Sequence, residues 1–333
     1  MFIRQLKLPE DLLRITEIAA ETWNYPDHPE WSVQADEEES LDDSMKNYQR
    51  IWPFIRVIQF FSPGLRDFMH GHIWEEDGRI AGFTQINRRG STDTWYISAV
   101  GVHPDFRRRG IAQKLVEKAI DFVRERKGKR LLLDVIEGNV PAINLYKKLG
   151  FENFTSNLQL EIQHKSPPAE PDLPDGYQFE VTDDYTWKPR FELVKRITPE
   201  RLARYEPVEA GRYKKPFFSR LLFPLIKRVE GLAVHRFFIK SNAGQRVAHA
   251  IYDIRTRDTG RNSIMVDLDP AFPQLASYLI DLMLHKILTA DPERVIEINL
   301  PIWQEALLAA VDEAGFELRV KLLTLGLLLD GEI

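Results

Sequence analysis

The feature that most restricts this chain is an internal repeat. MVDLDPAF at Met265–Phe272 mirrors AVGVHPDF at Ala99–Phe106, and AVDEAGFE at Ala310–Glu317 mirrors LYKKLGFE at Leu145–Glu152. Pro104 precedes Gly150 by 46 residues and Pro270 precedes Gly315 by 45, so the register survives between copies. Each copy needs its own core, and 333 residues leave room for two domains of ordinary size. Between them, QHKSPPAEPDLPDG (Gln163–Gly176) carries prolines at 167, 168, 171 and 174, a composition for an extended connector. The expected organisation is a first domain over 1–162, a linker over 163–176 and a second domain over 177–333.

Within the first copy, a short strand at Phe2–Leu6 precedes helical spacing over Asp11–Trp23, and Ser40–Trp52 suggests a second helix. Met69–Arg89 reads as a hairpin turning at Glu76-Asp77-Gly78, and Thr94–Val102 as the next strand. From Gly110 the apolar residues 111, 112, 115, 116, 119, 120 and 123 form one stripe, an amphipathic helix that ends at Lys127-Gly128. RLLLDV (Arg130–Val135) is a strand covered on both faces. Asn139 caps a short helix entered through Pro141 and closed by Gly150. Strands and helices thus alternate in a mixed α/β layer.

Composition narrows the function classes. The chain has no cysteine, which removes disulfides, thiolate nucleophiles and cysteine-built zinc sites. A net charge of −5 argues against a nucleic-acid coat, and no uninterrupted apolar run is long enough to span a bilayer. MFIRQLKLPEDLL lacks the apolar core of a secretory signal, so a cytoplasmic location is expected.

VGVHPDFRRRGIAQKL, Val100–Leu115, carries the chemistry. A strand feeding a turn that opens a helix presents free N–H groups and the positive end of the helix dipole, which suits a diphosphate. Gly110 and the small Ala112 admit a ligand to the backbone, while Arg107, Arg108 and Arg109 add charge. The turn lacks the Lys-Ser/Thr of a P-loop, and no G-x-G-x-x-G follows a strand.

Arg107, Gly110 and Ala112, with Val102 and Pro104 before them, fill Q/R-x-x-G-x-G/A after a strand ending in Val-x-Pro. Downstream stand Asn139, Ala142, Tyr146 and Leu149-Gly150-Phe151. In both signatures the chain resembles the GNAT superfamily of acyl-CoA N-acyltransferases, directly over about residues 1 to 160 and as a degenerate copy beyond. The resemblance implies two tandem α/β domains, each a mostly antiparallel twisted sheet with helices on both faces, and acetyl-CoA as cosubstrate with no metal. It implies that backbone groups near Val100, Gly101 and Val102 hold the pantetheine arm. Arg107, Arg108, Arg109, Gly110, Ile111 and Ala112 would hold the pyrophosphate, and Asn139 would contact the cofactor or a bridging water. Tyr146 matches the family's usual general acid. Asp134 stands where some peptide N-terminal acetyltransferases carry a Glu base; being a methylene shorter, it suggests a bridging water. Glu137 is the weaker alternative.

The repeat loses this chemistry: Pro273 stands where Arg107 does, no glycine opens its helix, and Val311 replaces Tyr146. It is expected to be structural or substrate-shaping. His70 and His72 read as histidines on a wet strand face rather than a metal pair, and His103 receives no role. The acidic run Asp36, Glu37, Glu38, Glu39, Asp42 and Asp43 reads first as a solvated face. With Trp23, Tyr25 and Trp31 nearby, it also suggests a rim for a cationic, aromatic-loving amine. The expected activity is acetyl transfer to a primary amine of a small molecule, with that acceptor as partner and neither nucleic acid nor membrane. A peptide or protein N-terminal acetyltransferase and a non-enzymatic acyl-CoA-binding module are the alternatives.

Overall fold

In the computed structural model, residues 2–61, 69–163, 165–215, 224, 226–228 and 230–329 are described. They form two compact units. The first contains β1 (Phe2–Gln5), α1 (Glu10–Thr22), α2 (Ala35–Phe61), β2 (His70–Glu76), β3 (Arg79–Arg88), β4 (Thr94–Val102), α3 (Ile111–Glu125), β5 (Arg130–Ile136) and α4 (Val140–Lys148). To these it adds the chain from Leu323, the end of β12 (Glu317–Leu328). Its strands run β1-β2-β3-β4-β5-β12, antiparallel from β1 to β4 and parallel from β4 to β5.

Local chemistry explains these elements. The β2–β3 turn places Asp77 and Gly78 at φ 51° and 76°, the left-handed pair of a two-residue hairpin. In α3 the stripe Ile111, Leu115, Val116, Ala119, Ile120, Phe122 and Val123 is buried, and Leu131, Leu132 and Leu133 of β5 are closed off on both faces. Val116, Ala119, Ile120, Phe122 and Val123 share one core with Leu131, Leu133, Trp95 and Ile97, completed by Leu325. The second helix is longer than its apolar spacing suggests. The acidic run starts it, with Asp36, Glu37 and Glu38 in the first turn and the Glu37 carboxylate accepting from the Gln34 N–H at 2.9 Å.

The second unit repeats the order: β7 (Tyr177–Val181), α5 (Trp187–Ile197), β8 (Leu232–Ser241), β9 (Arg246–Arg255), β10 (Asn262–Leu268), α6 (Ala276–Ala290), β11 (Ile296–Pro301) and α7 (Glu305–Ala314). Its sheet runs β11-β10-β9-β8-β7, with β10 and β11 parallel and the rest antiparallel. Beside β11 lies the part of β6 (Glu152–Ile162) from Thr155 onward.

Each unit therefore closes its sheet with the last strand of the other copy. The divisions fall at Phe154/Thr155 and Leu322/Leu323 rather than at the proline-rich connector, whose residues 165–174 carry no regular structure. Composition marks where a chain is extended; it does not reveal which sheet edge a strand joins.

Candidate active site

The site begins where two parallel strands part. β4 and β5 pair from Thr94↔Arg130 to Ile97↔Leu133 and no further, although β4 continues to Val102 and β5 to Ile136. A bulge drives them apart: opposite β3, Gln85 pairs with Ala99 and Ile86 with Ile97, so Ser98 is an extra residue. An extra residue bends its strand and increases its twist. Between the splayed ends lies a cleft of about 790 Å³, within the range of small-molecule and cofactor sites.

The exposed edge of β4 has a definite pattern. The His103 N–H bonds to the Ala81 carbonyl, which turns the backbone groups of alternate residues, Gly101 among them, toward β3. Those of Val100 and Val102 face the cleft, and both residues line it. Gly101 is buried for a different reason: a Cβ there would lie 2.6 Å from the Phe83 ring and 2.7 Å from Thr22 Cγ2. Its lack of a side chain serves packing.

At the mouth, Gly110 caps α3 with φ 74° and no side-chain bond, so the first-turn N–H groups of Ile111, Ala112 and Gln113 have no intrahelical acceptor. All four residues line the cleft, and space is open where a Gly110 Cβ would stand. The three arginines separate in role. Arg108, itself left-handed at φ 62°, lines the cleft exposed. Arg107 also lines it, but its guanidinium donates to the Thr22 carbonyl at 2.8 Å and the Val102 carbonyl at 3.3 Å, tying the turn to α1. Arg109 lies off the cleft, paired with Glu76 at 3.4 Å and placed over the Phe106 ring. His103 braces the same turn, accepting from the Asp105 N–H and meeting Glu21 at 2.8 Å.

The opposite wall holds the titratable groups. Tyr146 is 7% exposed, its ring against Phe151 and its residue lining the cleft. Burial, with the Tyr25 phenol nearby, pushes its hydroxyl well above the ordinary tyrosine range, so it stays protonated. Among the described residues nothing hydrogen-bonds that hydroxyl. Asp134, the first residue of β5 beyond the last pair, accepts from the Tyr96 hydroxyl at 2.7 Å and the Thr324 hydroxyl at 2.6 Å. Thr324 carried no motif; only the strand exchange brings it here. Asn139 caps α4, its Oδ1 accepting from the Ala142 N–H at 3.3 Å, and borders the cleft.

Trp23, Tyr25 and Trp31 complete the lining, with Trp31 edge-on to Tyr25 at 5.8 Å and packed over Gly138. The acidic residues of α2 are not among the residues that line the cleft. The histidines of β2 are not on a wet face. His72 is buried edge-on to Phe122, and His70 lies 4.9 Å from the same ring.

The second unit shows what the repeat lost. Counted back from Gly315 as from Gly150, Asn299 stands for Asp134, Gln304 for Asn139 and the fully buried Val311 for Tyr146. Pairing of β10 with β11 stops at Ile264↔Ile298, the equivalent place, but β10 carries no bulge. Gln304 Nε2 donates to the Leu268 carbonyl at 3.0 Å, and Asp267, in β10, is bonded by Arg190 at 2.8 Å. Burial raises the Asp267 carboxyl, yet Arg190 and His249 outweigh it and hold it at about 2.

Comparison with known proteins agrees with this geometry. Residues 16–151 match the family model described as the acetyltransferase (GNAT) family. The chain is 37% identical over 75 residues to a streptothricin acetyltransferase of Streptomyces lavendulae, spanning 22% of this chain and 40% of that one. It is 37% identical over 91 residues to the peptidyl-lysine N-acetyltransferase YiaC of Escherichia coli, spanning 27% and 56%. Over its full length it superimposes on the whole of a tandem GNAT protein from the clavulanic acid biosynthesis pathway, with TM-score 0.65 and 14% identity. Residues 16–151, within the first unit, thus carry the similarity to the acetyltransferase (GNAT) family. Over its full length the chain shares the fold of that tandem protein, and it spans about half the length of the curated relatives it matches.

Proposed function

We propose that the first unit transfers the acetyl group of acetyl-CoA to the primary amine of a small molecule, directly, with both substrates bound. The parting of β4 and β5 carries this reading, because it puts the anion-receptive start of α3, Asp134 and Tyr146 on the walls of one cleft. Acetyl-CoA supplies the activated acetyl group. The N–H groups of Ile111, Ala112 and Gln113 with Arg108 receive its pyrophosphate, and Arg107 holds their turn in place. The backbone groups of Val100 and the N–H of Val102 face the cleft, where they would bond the amides of the pantetheine arm and polarise a carbonyl between the strands, while the Val102 carbonyl accepts from Arg107.

An aliphatic ammonium titrates near about 10.4, so attack at neutral pH requires a proton acceptor. Asp134 takes that proton, through a water where its short side chain does not reach. Tyr146, protonated and without a protein acceptor for its hydroxyl among the described residues, gives a proton to the departing thiolate. The acceptor side adds Trp23, Tyr25 and Trp31, whereas the cations that line the cleft, Arg107 and Arg108, both sit in the turn before α3. This favours an amine on an apolar or aromatic body over one bearing a carboxylate or phosphate.

Among the described residues no helix is long and apolar enough to cross a membrane. The similarity to a peptidyl-lysine acetyltransferase makes a protein amine the competing acceptor. Thiol release from acetyl-CoA with tyramine, phenethylamine or a lysine peptide separates the cases. Turnover of the arylalkyl amines supports the proposal, and turnover of the peptide alone favours the competitor. Binding of acetyl-CoA with no turnover of any amine points to a non-enzymatic module.

A further inference from the structure

We propose that Thr324, on the terminal strand of the repeat, is a positioning residue for Asp134, so that the active site of the first unit is completed by the end of the chain. The inference rests on Asp134 as the proton acceptor. Asp134 stands just past the last β4–β5 pair, where the neighbouring strand has turned away. A carboxylate on such an edge has free rotation unless something holds it. Here both oxygens are held: Oδ2 accepts from Tyr96 at 2.7 Å and Oδ1 from Thr324 at 2.6 Å. Both donors are neutral, and among the described residues no cation pairs with Asp134, so its charge is oriented without being neutralised.

The donors are themselves fixed. Arg89 lies over the Tyr96 ring at 4.5 Å. Thr324 is 4% exposed, and five residues further the Leu329 N–H bonds to the Lys129 carbonyl, the register of antiparallel strands. The second unit supplies an internal comparison: Asn299, in place of Asp134, lies opposite Gln159 of β6. The carboxylate and the counterpart of the Thr324 hydroxyl are both absent there, as expected if the two work as a pair.

The test is a double-mutant cycle on the full chain, with acetyl-CoA and tyramine, or the lysine peptide where that is the substrate. Asp134→Asn is expected to lower kcat by about 10²-fold or more. Thr324→Val, isosteric and without the donor, is expected to lower kcat by about 10-fold with the KM for acetyl-CoA unchanged. Thr324→Ser should recover to within about 2-fold, and Thr324→Val should add nothing in the Asp134→Asn background. Full activity of Thr324→Val, or an equal loss in both backgrounds, overturns the inference while leaving the base assignment intact. A wild-type rate in Asp134→Asn, or no acetylation of either acceptor by the wild type, overturns the reading beneath it.

Discussion

Gln304 reaches across the second unit to the Leu268 carbonyl at 3.0 Å, whereas Asn139, its counterpart in the first unit, turns inward to cap its own helix. One extra methylene converts a helix cap into a clasp between strand ends. Gln304 is 4% exposed, so replacing it with Leu leaves a carbonyl without this donor. The expected loss is about 1–3 kcal/mol of stability in urea denaturation, with acetyl-CoA affinity unchanged. A weakened affinity would mean that the second unit takes part in cofactor binding.

Tyr146→Phe removes a hydroxyl and keeps the ring against Phe151. If that hydroxyl delivers the proton to the leaving thiolate, kcat falls by about 10²-fold or more while acetyl-CoA binds as before. Rates close to wild type across pH would sink the general-acid assignment and leave Tyr146 as a packing residue.

The two glycines of the site should respond differently. At Gly101 an added methyl meets Phe83 and Thr22 at under 3 Å, so Gly101→Ala is expected to cost about 1–3 kcal/mol through overpacking. At Gly110 space is open but φ is 74°, so Gly110→Ala costs about 1 kcal/mol, from backbone conformation alone. Denaturant midpoints of the two variants rank these effects; the reverse order would contradict the packing described.

Much of the first unit was legible because each element announces itself locally. The apolar stripe of α3, the turn at Asp77-Gly78 and the Asn139 cap all form where their residues indicate. Asp134, Tyr146, Arg108, Gly110 and Asn139, each singled out by a local motif, all border one cleft. What stayed hidden depends on distant partners. Arg107 looks like a phosphate ligand until its contact with Thr22, 85 residues earlier, is known. Thr324 lies 190 residues from Asp134, and no local pattern reports a strand exchange. His72 looked solvated because strand alternation gives no information about Phe122 packing from a helix above it.

That buried histidine sets a pH dependence. Burial, with the charges of Lys118, His70 and Arg126 adding, pulls His72 down from 6.5 to about 4. As pH falls, the unfolded chain takes up this proton first. Stability is therefore full above about 6.5 and is lost progressively toward about 4, by about 2 kcal/mol between pH 7 and pH 5. His72→Phe should flatten that part of the profile in denaturant midpoints measured at the two pH values. An unchanged slope would assign the pH dependence to other groups.

Calorimetric titration of acetyl-CoA decides whether the turn before α3 in the first unit holds this cosubstrate. Wild type is expected to bind one equivalent per chain. Gly110→Glu, which places a side chain and a negative charge at the capped N-terminus, is expected to bind none while retaining its fold by circular dichroism. Two equivalents on the wild type, or undiminished binding by the folded variant, would contradict the assignment.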